Sequence, residues 1–162
     1  MRALRHLFDF GSARRRFPPA VLDEIRGAIA ASEHRHAGEI VFAVEGSLPL
    51  VDVLRGRDAR DRAREAFAHL RVWDTERNVG VLVYVLIADR AIEIVADRGI
   101  AAKVAEAEWR EVCALMRRRF AEGDYGGGAL AGIEAITTIL TRHFPSDGAP
   151  RADELPDRPV LL

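Results

Sequence analysis

One cysteine, one lysine and no long apolar run are the first things this chain withholds. The lone Cys113 excludes an internal disulfide and any zinc site built from several thiolates. Lys103 is the single lysine, so nearly all basic charge is arginine. The longest apolar stretch, Val79 to Ala88, falls far short of the roughly 20 residues a membrane helix requires. The amino terminus starts basic but has no uninterrupted hydrophobic segment and no small-residue cleavage site. No secretion signal, anchor or membrane span is therefore expected, and the default compartment is the cytoplasm. A net charge of −1 provides no global field toward nucleic acid or an anionic membrane. Also missing are a serine-hydrolase elbow, a His-Glu-x-x-His zinc helix and a phosphate loop with its lysine.

What remains is a chain of 162 residues, 49% apolar and 30% charged, the size and composition of one globular domain. Residues 1–17 form a basic arm carrying Arg2, Arg5, Arg14, Arg15 and Arg16 against Asp9. Its Leu4, Leu7, Phe8 and Phe10 suggest an amphipathic turn. Residues 18–144 carry the regular structure, and residues 145–162 read as a linker and polar tail whose apolar end can dock back on the domain.

Pro18-Pro19 opens a first helix, since proline costs nothing in a first turn; Val21, Leu22, Ile25 and Ile29 follow at helical spacing. Glu39–Glu45 is a short β-rich strand. Arg57–Trp73 reads as a second helix with Ala59, Ala63, Ala66 and Phe67 on one face. Val81 to Ile87 is apolar at every position, the mark of a central strand covered on both sides. Ile92 and Ile94 alternate with Glu93, as expected nearer an edge. With only Asp89 and Arg90 at the turn, these two strands must form an antiparallel hairpin. A third helix is expected over Ile100–Phe120 and a fourth after Asp124, which suits an N-cap.

Several constellations offer chemistry. Cys113 and Arg119 match the bare spacing of cysteine phosphatases, but they lie in mid-helix without the required loop, so Cys113 reads as core. His34 and His36 beside Glu33 and Glu39 offer two imidazoles to a metal, although histidines suit a helix C-terminus for the dipole alone. The favoured site is the corner Val95–Gly99. If the hairpin is antiparallel, it brings Asp97 and Arg98 beside Asn78, Glu76 and Asp74. Carboxylate and amide oxygens are what hard cations such as Ca2+ or Mg2+ prefer. The competing reading has Asp97 pair with Arg98 or Arg77, or cap the helix near Ile100.

Four local words, Asn78–Val83, Ala88-Asp89-Arg90, Val95–Gly99 and Glu122-Gly123-Asp124-Tyr125, occur in an order and spacing that resembles the TPM domain family. The likeness covers residues 18–144. It implies a three-layer α/β/α sandwich around a central mixed sheet of about four strands, including one antiparallel hairpin. It also implies relatives that bind divalent cations and others with a proposed acid phosphatase activity. The family has Asp-Asn-Gly or Asn-Asn-Gly where this chain has Asn78, Val79 and Gly80, and the missing signals resemble a cytoplasmic branch.

The sequence thus supports a non-catalytic TPM-type binding module taking a divalent cation at Asp97, Asn78, Asp74 and Glu76, or a protein partner, with no organic cofactor. A first alternative is a cation-dependent phosphomonoesterase in which Arg98 meets phosphate. A second is nucleic-acid contact through the N-terminal arginines.

Overall fold

The computed structural model describes residues 2–9, 11–149 and 152–162. Four strands, β1 (Glu39–Glu45), β2 (Gly80–Leu86), β3 (Ala91–Ala96) and β4 (Val160–Leu161), form one sheet in the order β3-β2-β1-β4. β1 runs parallel to β2 and β4, while β2 and β3 pair antiparallel, with Val83 opposite Ile94. The sheet is mixed and the hairpin is the one the apolar pattern requires.

Alternation along β1 divides the core. Ile40, Phe42 and Val44 join one apolar cluster with α3 (Pro19–Glu33), α7 (Glu106–Ala121) and α8 (Tyr125–His143). Val41 and Ala43 join a second with α4 (Leu50–Leu54) and α5 (Ala59–His69). Every β2 residue is buried, because helices cover both faces of that strand. The result is an α/β/α sandwich. Among the described residues no helix is long and apolar enough to cross a membrane.

Three local expectations are corrected. The hairpin loop runs over residues 87–90 rather than two, because the Ile87 and Ala88 N–H groups turn to Glu45 O and Gly46 O on the far side. Arg90 closes it at φ 52°. The third helix is broken: α6 (Arg98–Ala101) ends, Val104 turns into the core, and Glu108 accepts the Ala105 N–H at 3.3 Å to start α7. The second helix begins later than expected, where Asp58 caps it by accepting the Asp61 N–H at 2.8 Å, and α4 precedes it.

Both ends of the chain are integrated. The N-terminal arm supplies α1 (Arg2–Phe8) and α2 (Ser12–Arg16). Asp89 ties it down, accepting from Arg2 Nη2 at 2.8 Å and meeting His6 Nε2 at 3.1 Å. The C-terminal segment buries Leu155 in the α4/α5 layer and adds β4 beside β1. Gly80 opens β2 because a Cβ there would overlap the carbonyl oxygen of Val72, so only hydrogen fits.

Candidate functional site

The hairpin brings the strand end of β3 against the entry to β2. The Asp97 N–H donates to Gly80 O at 2.9 Å and the Gly99 N–H to Asn78 O at 3.1 Å. A Cβ on Gly99 would lie 2.5 Å from Asn78 O, so glycine permits this approach. Asn78 itself sits at φ 55°, a conformation asparagine tolerates better than most residues. Asp97, Arg98 and Asn78 are therefore neighbours.

Their side chains are largely engaged with one another. Asp97 Oδ1 accepts the Arg98 N–H at 2.7 Å and caps α6, as the competing reading anticipated. Arg98 Nε donates to Asn78 Oδ1 at 3.0 Å, occupying the amide oxygen expected to face a cation. Asp97 is only 8% exposed, and its Oδ2 is buried without a partner. Asp74 instead pairs at the surface with Arg71 at 2.6 Å. Glu76 offers its backbone N–H to Glu154 at 2.7 Å. Among the described residues, no three carboxylates within ligand reach include Asp97, Asp74 or Glu76. The fold thus unites Asp97, Arg98 and Asn78 but does not gather the full quartet.

A stronger polar group lies on the same edge of the sheet, at the entry to β1. Glu33 ends α3, Glu39 begins β1, and the C-terminal segment lays Asp153 over both. One carboxylate oxygen from each falls within 4.8 Å of the others. Asp157 approaches Glu33 from the same segment. These residues line a cavity of about 470 Å³ together with His36 and Ser146. The walls are fixed by the backbone: Ala37 N–H donates to Phe144 O at 2.8 Å, and Ser146 N–H to Arg35 O at 3.2 Å.

This pocket holds unanswered polar atoms. Glu39 is 8% exposed, and its Oε2 is buried with no hydrogen-bond partner. One oxygen each of Glu33 and Asp157 is also buried there, and their carboxyls face one another as a hydrogen-bonded pair. His36 is 1% exposed; its Nδ1 accepts the Gly38 N–H at 3.2 Å, and its Nε2 is buried and unpartnered. That bond leaves the neutral ring's proton on Nε2, so His36 lines the cavity as a donor rather than a ready metal ligand. His34 is exposed.

The electrostatics follow from this crowding. Burial pushes the Glu39 carboxyl up to about 7, against the pull of the Leu155 and Glu154 backbone N–H groups. Burial, then the charges of Glu39, Asp157 and Asp153, raise Glu33 well above the usual carboxylate range. Burial also raises Asp157, with Asp153 adding to it. His36 is lowered to about 4, mainly by burial and further by Arg35. Like-charged acids crowded into one cavity hold protons that a cation would displace.

The sequence placed Glu33, Glu39 and His36 together but could not supply the acids of the tail. Asp153 and Asp157 sit in an aperiodic stretch, and no spacing links them to β1.

The TPM domain family profile matches residues 15–139. The chain belongs to the TPM domain family. No curated protein matches it. Among solved structures, this TPM domain is similar to the BA42 protein from the psychrophilic bacterium Bizionia argentinensis, solved by NMR. That protein is 28% identical, with 88% of this chain and 92% of that one covered at a TM-score of 0.76. The N-terminal domain of a P. gingivalis protein is 18% identical, with 78% and 77% covered at a TM-score of 0.62, a likeness of fold alone. The family match spans residues 15–139, so Asp153 enters the acidic cavity from a segment beyond it.

Proposed function

We propose that this TPM domain is a non-catalytic binding module that takes a hard divalent cation between Glu33, Glu39 and Asp153, and by doing so secures its C-terminal segment. The observation that carries the reading is Glu39. A carboxylate nine-tenths buried, with an oxygen that nothing answers, stands in a group of acids of matching chemistry. His36 lines the same cavity, buried and with an unpartnered nitrogen, outside the three acids that would hold the ion.

Calcium is the better match in chemistry, because it accepts an irregular set of carboxylate oxygens, whereas magnesium demands near-ideal octahedral geometry. The Asp97 edge is the weaker seat, because Arg98 already holds Asn78 Oδ1 and Asp74 holds Arg71. The same engagement of Arg98 disfavours a phosphomonoesterase at that edge.

Calcium titration followed by amide NMR tests the reading. Shifts are expected at residues 33–40 and 152–157, and Glu39→Gln should abolish them. Shifts confined to residues 74–80 and 96–100 would move the cation to the Asp97 edge. No response at about 1 mM calcium would remove the proposal.

A further inference from the structure

The opposite end of the sheet, where β2 leaves it, carries the reverse charge. Arg5 of α1, Arg16 of α2, Arg90 of the hairpin loop and Arg117 of α7 line one cavity of about 430 Å³. They arrive from four separate parts of the chain, so sequence proximity does not explain the gathering. Asp9 is the sole acid on the lining. It lies 3.8 Å from Arg16, and among the described residues no carboxylate lies within salt-bridge distance of Arg5, Arg90 or Arg117.

Concentrating guanidinium groups is unfavourable unless an anion answers them. In a chain of net charge −1, where nine arginines elsewhere pair with acids, four guanidinium groups share this recess with a single carboxylate. Part of the lining is aromatic: Phe120 and Tyr125 pack with ring centroids 4.9 Å apart, and Arg16 lies 5.3 Å over the Tyr125 ring. The cavity also opens at the carboxyl end of a parallel-paired strand, where α/β sheets tend to hold their ligands.

We infer that this recess between the N-terminal arm and the hairpin binds a small phosphorylated ligand bearing a flat or apolar part. The guanidinium forks match phosphate oxygens in pairs, and the Phe120–Tyr125 wall receives the remainder. A recess shaped by four elements suits a small molecule better than a polymer, which would call for an extended basic stripe. This site is separate from the acidic cavity, and neither proposal depends on the other.

Calorimetry on the full chain with inorganic pyrophosphate and with adenosine monophosphate provides the test. Binding tighter than about 1 mM is expected for both at low salt, with the nucleotide ahead because it offers a ring. Arg117→Gln and Arg90→Asn should each weaken it about tenfold while leaving the thermal transition in place, since both side chains are exposed. Absence of heat with either probe overturns the inference, as does undiminished binding in both variants. A single-stranded oligonucleotide bound more tightly than either small probe, and lost in the same variants, would replace it with nucleic-acid contact.

Discussion

Glu154 accepts the backbone N–H of Glu76 at 2.7 Å, tying the C-terminal segment to the loop that leads into β2. With Leu155 buried in the α4/α5 layer and β4 paired to β1, this bond holds Asp153 and Asp157 over the start of β1. The tail is therefore a wall of the acidic cavity, and its packing and the cavity's chemistry are linked.

That linkage is testable at Leu155. Leu155→Ala removes a side chain only 6% exposed and should cost about 2–4 kcal/mol in urea denaturation. It should also weaken calcium binding, because Asp153 is no longer held in place. Unchanged calcium affinity in a destabilised Leu155→Ala protein would separate the tail from the site.

Stability without metal should fall as pH rises past neutrality. Glu39 titrates near 4.5 in the unfolded chain and at about 7 in the folded one. Between those values the folded state keeps a proton that the unfolded state has released, so each step upward in pH favours unfolding. Glu33, raised by burial and by Glu39, carries the decline to higher pH. Denaturation at about pH 6.5 and about pH 8.5 should differ by about 1–3 kcal/mol, with millimolar calcium recovering most of the loss at the higher pH. Glu33→Gln should remove most of this decline, and Glu39→Gln the part below about pH 7. A rise in metal-free stability over this range would refute the assignment.

His36 acts in the opposite direction. Its folded value of about 4 lies below its ordinary 6.5, so acidification charges the unfolded chain first. Stability from this group is present above pH 6.5 and is lost as pH falls toward 4. Replacing it in His36→Gln should reduce the acid sensitivity, as read from urea midpoints across that interval.

Gly80→Ala should be among the most damaging single-methyl changes in the chain. The added Cβ meets the Val72 carbonyl oxygen, a backbone atom that cannot swing aside, at the first residue of the central strand. A loss of about 2–4 kcal/mol is expected. A loss below about 0.5 kcal/mol would mean that the two segments separate readily.

Asp89 joins the hairpin loop to the arm through Arg2 and His6. Burial raises its carboxyl, but hydrogen bonds from Arg2 and His6 outweigh that and hold it below the usual range. Asp89→Ala should release α1, giving faster hydrogen exchange over residues 2–8 while β1 and β2 stay protected. It should also weaken pyrophosphate binding, because Arg5 travels with α1.

Much of the fold was legible in order. Val81 to Ile87 announced a strand buried on both faces because no residue there tolerates water, and such a strand can only be central. Asp97 next to a helix start offered a cap as the competing reading to a cation ligand, because that bond is made to the next residue's N–H and needs no distant partner. Glu33 and Glu39 lay close enough in sequence to be noticed together. The tertiary structure decided the rest. Whether Asp74 and Glu76 face Asp97 depends on loop side chains whose partners, Arg71 and the Glu154 segment, no periodicity announces. The acidity of Glu39 depends on its burial and on the backbone N–H groups the tail brings to it, and the arginine recess depends on four elements converging. Local hydrogen bonding and hydrophobic alternation are written along the chain, whereas desolvation and long-range charge are properties of what packs against it.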